Sequence, residues 1–134
     1  MITLQSLLVA DRAIRDSETG NLSIINILED ITAEAFPILI PRLTVAAFIN
    51  KETNDDSTQI LHLKICNNEN IISDNQIKVD FREKNKSKVI IQLGTLPINE
   101  LGKVHFILEN INRVELERYS IGLKLREEIT VTSE

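Results

Sequence analysis

Along most of this chain, apolar side chains recur at every second position. Leu61, Leu63 and Ile65 share one parity while His62 and Lys64 take the other. Leu43, Val45, Ala47 and Ile49 repeat the pattern, as do Ile77, Val79 and Phe81, and again Val104, Phe106 and Leu108 around His105. Such alternation marks strands with one face buried and one face in water. Leu4–Ile14 opens the chain as a strand, and Asp16-Ser17-Glu18-Thr19-Gly20-Asn21 concentrates turn formers, with Gly20 and Asn21 suited to positive φ. A hairpin into Leu22–Ile31 follows. That second strand has no clean polar face, which fits a covered central strand or a twisted one whose register changes at Glu29-Asp30.

Pro37 and Pro41 bracket Ile38-Leu39-Ile40, and the missing backbone donors place this segment at an edge or a crossing. Polar loops are expected at Lys51–Ser57 and Arg82–Ser87, with a turn at Asn67-Asn68-Glu69-Asn70. Gln76–Phe81 and Lys88–Leu93 are strands, the latter stopped by Gly94 and Pro97, and Gly102 opens the strand Lys103–Glu109. After the Asn110-Ile111-Asn112 turn, the inward parity runs through Val114 and Leu116, then switches to Tyr119, Ile121, Leu123 and Leu125. One inserted residue does this, so a β-bulge is expected near Glu117-Arg118. A helix over residues 111–125 competes with that reading but would place Arg118 in its apolar stripe and Gly122 inside it. The sum is roughly seven to nine strands without a crossover helix, an all-β antiparallel β-sandwich. One domain is expected over residues 1–134, with 128–134 as a frayed tail.

Leu8-Val9-Ala10-Asp11-Arg12, Asp16–Ile25, Phe36-Pro37 and Pro41-Arg42-Leu43, with Leu96-Pro97, Gly102 and Val104-Phe106-Leu108 further on, form a pattern spread over nearly the whole chain. It resembles a family of small bacterial proteins catalogued only as a domain of unknown function. The resemblance implies an immunoglobulin-like or similar sandwich and brings no activity with it. The Asn-rich segments 51–57 and 67–75 depart from the family pattern. Gly102-Lys103-Val104 lies where many such sandwiches carry a corner tyrosine, and here the residue is Val104.

Composition narrows function mainly by subtraction. The chain has 134 residues with 43% hydrophobic and 26% charged, ordinary globular values. It has no Trp and only four Phe and one Tyr, which leaves few anchors for binding hot spots or base stacking. A net charge of −5 disfavours nucleic acid and anionic membranes at long range. The basic run Arg82–Lys88 lacks interleaved aromatics and reads as a solvated loop. One cysteine, Cys66, suits a reducing compartment, and the first residues lack the basic and apolar parts of a secretion signal, so a cytoplasmic location is expected.

His62, His105 and Cys66 are the only soft metal ligands, and His62 and Cys66 stand about 13 Å apart along one strand. The acidic pairs Asp16/Glu18, Glu29/Asp30 and Asp55/Asp56 lack EF-hand spacing. There is no GxSxG elbow and no glycine-rich phosphate loop. No catalytic residue, metal or cofactor is assigned. The expectation is a non-catalytic sandwich that acts through protein–protein contacts or self-association, including a homodimer. Alternatives are a calcium- or lipid-dependent domain resembling C2 domains, and a small-ligand carrier. Arg42, a charge directly after Pro41, and the outward Ile90 and Ile107 are the candidate contact residues.

Overall fold

A computed structural model of the chain describes residues 1–126. The strands are β1 (Thr3–Arg15), β2 (Leu22–Ile27), β3 (Asp30–Ala33), β4 (Ile38–Ile40), β5 (Leu43–Asn50), β6 (Thr58–Asn67), β7 (Asn70–Asp80), β8 (Lys86–Leu93), β9 (Leu96–Ile98), β10 (Gly102–Glu109) and β11 (Glu115–Leu125). Eight of these eleven have six residues or more; of the three short ones, β4 is the expected edge or crossing segment, β3 begins inside the expected strand Leu22–Ile31, and β9 contains Pro97, expected only as a strand stop. Among the described residues no helix is long and apolar enough to cross a membrane. The tail expected at 128–134 lies outside the described residues.

One sheet runs β2-β1-β5-β8, a second runs β3-β11-β10-β6-β7, and β4 pairs with β9 alone. All pairings are antiparallel except β3 with β11. In immunoglobulin terms β1, β5 and β8 stand as A, B and E, facing β11, β10, β6 and β7 as G, F, C and C′. The fold is an immunoglobulin-like β-sandwich. Its core is one cluster drawn from both sheets, with Val9, Val45, Leu63, Ile65, Phe106 and Ile121 fully enclosed. The alternating residues of β5, β6 and β10 fill it as the period of two requires.

Leu22–Ile31 is neither a covered central strand nor one continuous strand. Asn26 takes a φ of +57°, Leu28 N donates to Val9 O at 2.9 Å, and the chain then crosses to the second sheet as β3. Tyr119 Oη donates to Leu28 O at 2.5 Å, and Gly122 N to Glu29 O at 3.0 Å, fixing the crossing. The segment is apolar on both parities because it is an edge of two different sheets in turn. The bulge in β11 falls beside the expected place. Leu108 pairs with Glu117 and Glu109 with Glu115, so Leu116 is the inserted residue. Residues 115–125 are strand, which removes the helical alternative.

The asparagines after β6 do more than turn the chain. Asn67, 2% exposed, donates through Nδ2 to Glu100 O at 3.1 Å and Lys103 O at 3.3 Å, and its Oδ1 accepts from Asn99 N and Glu100 N, both at 3.0 Å. Asn68 adds Nδ2 to Leu101 O at 2.9 Å and accepts from Lys103 N at 2.9 Å. These bonds fasten the β6–β7 turn to the β9–β10 connection, across the end of the sandwich. Gly102, with φ +127°, is required here, because a Cβ would lie 2.1 Å from Asn68 Oδ1. At the other end of β5, buried Lys51 points its Nζ at Glu52 O, Asp55 O and Asn85 Oδ1 at 3.2–3.4 Å, bracing the two polar loops expected there.

Candidate interaction faces

Each sheet has an outer face, and the two differ in chemistry. On the second sheet, cross-strand register sets Cys66, His105 and Ser120 in one row, with Lys64, Ile107 and Arg118 in the next. His105 Nδ1 is 2.6 Å from Ser120 Oγ, and the Cys66 thiol is free and 7% exposed. Sequence spacing along one strand compared Cys66 only with His62; the pairing of β6 with β10 makes His105 its neighbour. The depression over this row encloses about 610 Å³. Among the described residues no three His, Cys, Asp or Glu side chains converge as a metal site would need.

On this sheet Lys64, Arg113 and Arg118 are paired with carboxylates, while Lys78 and Lys103 join no ion pair among the described residues. Lys64 Nζ reaches Glu109 at 3.1 Å, Arg113 reaches Asp74 at 2.9 Å and Glu109 at 3.3 Å, and Arg118 reaches Glu115 at 2.7 Å. The hydrogen bond from Arg113 holds the Asp74 carboxyl below its ordinary range, and the one from Arg118 does the same for Glu115. Partial burial, then the charges of Arg118 and Lys103, push the His105 imidazole down. Ile107, expected as an exposed contact residue, is 5% exposed. Register puts it between Lys64 and Arg118, whose long aliphatic stems flank it. It therefore forms no patch with Ile90, which lies on the other sheet.

The outer face of the first sheet is apolar in its middle. The row Leu8–Ala46–Ile90 crosses β1, β5 and β8, bordered on one side by Ser6–Phe48–Lys88 and on the other by Ile27–Ala10–Thr44–Gln92. Ala10 and Ala46 are each 1% exposed although they point away from the core, while Leu8, Phe48 and Ile90 are half-buried and Ile27 is exposed. A solvated antiparallel face ordinarily alternates to polar residues at these positions. Here both faces of β5 are apolar at Val45-Ala46-Ala47-Phe48.

The charged residues of this face sit at its two ends and have one sign. Arg12 and Arg42 follow the outward parity past Ala10 and Thr44, and Lys86 and Lys88 follow it past Ile90. No Asp or Glu occupies an outward position of β1, β2, β5 or β8. Among the described residues none of these four cations joins an ion pair. Arg12 and Arg42 line a depression of about 370 Å³ with Asp11, Pro41, Thr44 and Gln92. Its one acid, Asp11, accepts from Asn26 Nδ2 at 2.9 Å. The structure thus brings Arg42 and Ile90 onto one surface and adds Leu8, Arg12, Phe48, Lys86 and Lys88, which were not among the expected contact residues. The alternation of LTVAAF held the signal for Phe48. The companion residues on β1 and β8 became visible only with the register.

Residues 5–124 match the pattern of DUF6941, described as a family of unknown function. No curated protein matches the chain.

Proposed function

Because the chain belongs to DUF6941, a family of unknown function, we propose its role from its surface chemistry: a non-catalytic β-sandwich that works by protein–protein contact through the outer face of the β2-β1-β5-β8 sheet. The observation carrying this reading is the apolar row Leu8–Ala46–Ile90 with Phe48 beside it, on the side of the sheet turned away from the core cluster. Contiguous apolar surface rimmed by polar groups is characteristic of interaction sites. Half-buried Leu8, Phe48 and Ile90 supply the apolar centre, and Arg42 stands on its rim.

The test is affinity purification of the tagged full chain from its source organism, with two substitutions compared. Ile90→Glu places a charge in the centre of the face and is expected to lose partners that the parent retains. Ile71→Glu, at a 62% exposed position on β7, is the control and keeps them. Recovery of the same partners by both variants would overturn the reading.

A further inference from the structure

We infer that the occupant of this face is a protein segment whose apolar run is flanked at both ends by Asp or Glu side chains. This inference rests on the contact reading above and adds the chemistry of the partner. The first ground is charge. Four cations ring the apolar centre and no acid takes an outward strand position among them; Asp11 lines the depression at one end and Asp80 the one at the other, yet none of the four cations joins an ion pair within the described residues. In a chain of net charge −5, such a rim is matched by carboxylates on a partner and repels a cationic one.

Spacing is the second ground. Arg42 precedes β5, and Lys88 and Lys86 pair with Phe48 and Asn50 near its far end. At the strand rise these rows are about 20–26 Å apart. A helix of about 16 residues spans that distance, with acidic residues near both ends and apolar ones at helical spacing between them.

A second copy of this chain does not fit. Two-fold pairing of the same face sets either the Arg12/Arg42 end or the Lys86/Lys88 end against cations of the other copy. An anionic lipid surface fits poorly as well. The apolar residues that would have to insert are half-buried, and Ala10 and Ala46 are 1% exposed. Nucleic acid would find cations but no exposed aromatic side chain on this face for base stacking.

Selection of a random peptide library, with inserts of about 16 residues, on the purified full chain tests the inference. The expected result is enrichment of peptides with an apolar run between carboxylates. Their binding should fall about tenfold in Arg12→Glu and in Arg42→Glu, and weaken with added salt. They should bind Ile71→Glu as they bind the parent. Selected peptides without carboxylates that still fail on Ile90→Glu would overturn the acidic partner and leave the contact face standing. Peptides indifferent to Ile90→Glu, or no enrichment over the blank support, would overturn the contact face as well. Co-sedimentation with phosphatidylserine vesicles that is lost in Arg42→Glu would overturn the inference in favour of lipid. Concentration-dependent self-association lost in Ile90→Glu would overturn it in favour of a second copy.

Discussion

Replacing Asn67 by Ala should destabilise the sandwich far more than its place in a polar turn suggests. The side chain makes four hydrogen bonds to the backbone of residues 99–103 and is 2% exposed. Of the groups it satisfies, Lys103 O keeps a second donor, Asn68 N at 2.8 Å. Asn99 N, Glu100 N and Glu100 O lose this partner. Each net hydrogen bond contributes about 1 kcal/mol, and an unsatisfied buried group costs about 1–3 kcal/mol. Asn99 and Glu100 are themselves exposed, so water recovers part of the loss. The balance is about 2–4 kcal/mol, a large share of a domain's usual stability.

Chemical denaturation reads this directly, as a lower midpoint with an unchanged slope. Thermal unfolding should show a Tm lower by roughly 10 °C. Asn70→Ala is the control, because exposed Asn70 makes one side-chain bond, to Glu100 Oε1 at 3.1 Å, and should cost less than about 0.5 kcal/mol. If Asn67→Ala matched Asn70→Ala, the view that this amide braces the end of the sandwich would be wrong.

Gly102→Ala should cost about 1–3 kcal/mol or more, since φ is +127° and the new Cβ would collide with Asn68 Oδ1; a parent-like denaturation midpoint would contradict the close approach. Asp74, held below its ordinary pKa by Arg113, contributes stability that is present above about pH 4 and lost as pH falls through its lowered folded value. The Tm gap between the parent and Asp74→Asn should therefore narrow on acidification below about pH 4, whereas a gap that is constant or widens there refutes the ion pair's role.

The fold was legible wherever one face of a strand met the core and the other met water. Leu61, Leu63 and Ile65, and likewise Val104, Phe106 and Leu108, alternate because burial alternates. The hairpin turn was legible for local reasons: Gly20 takes φ +74°, and Asp16 Oδ1 accepts from Glu18 N and Thr19 N. What escaped depends on distant chain. The exchange of sheets at Leu28 is fixed by Tyr119 and Gly122, which no local pattern announces. β7 begins at Asn70, well before the expected Gln76, because an edge strand tolerates the polar run Ser73-Asp74-Asn75. Ile107 looked exposed by parity, yet Lys64 and Arg118 flank it from two other strands. Arg42 was visible as an isolated charge, but its companion Arg12 became one only through the pairing of β1 with β5.

The asymmetry between the two outer faces separates what each residue contributes to a contact. On the second sheet, Lys64, Arg113 and Arg118 already have carboxylate partners, so a partner would first have to displace them. On the first, the four cations have no such partners among the described residues, while the rest of the chain carries 11 cations against 20 acids. Exposed charges of one sign steer encounter and set orientation more than they hold a complex together. Apolar groups that leave water on contact mainly lower the dissociation rate. Charge removal by Arg42→Gln should therefore slow association and flatten its salt dependence, with little change in dissociation. Truncation by Ile90→Ala should speed dissociation and leave the salt dependence intact. Stopped-flow or surface-based kinetics with one selected acidic peptide distinguishes the two. If both substitutions altered the same rate constant to the same degree, rim and centre would not be separate devices.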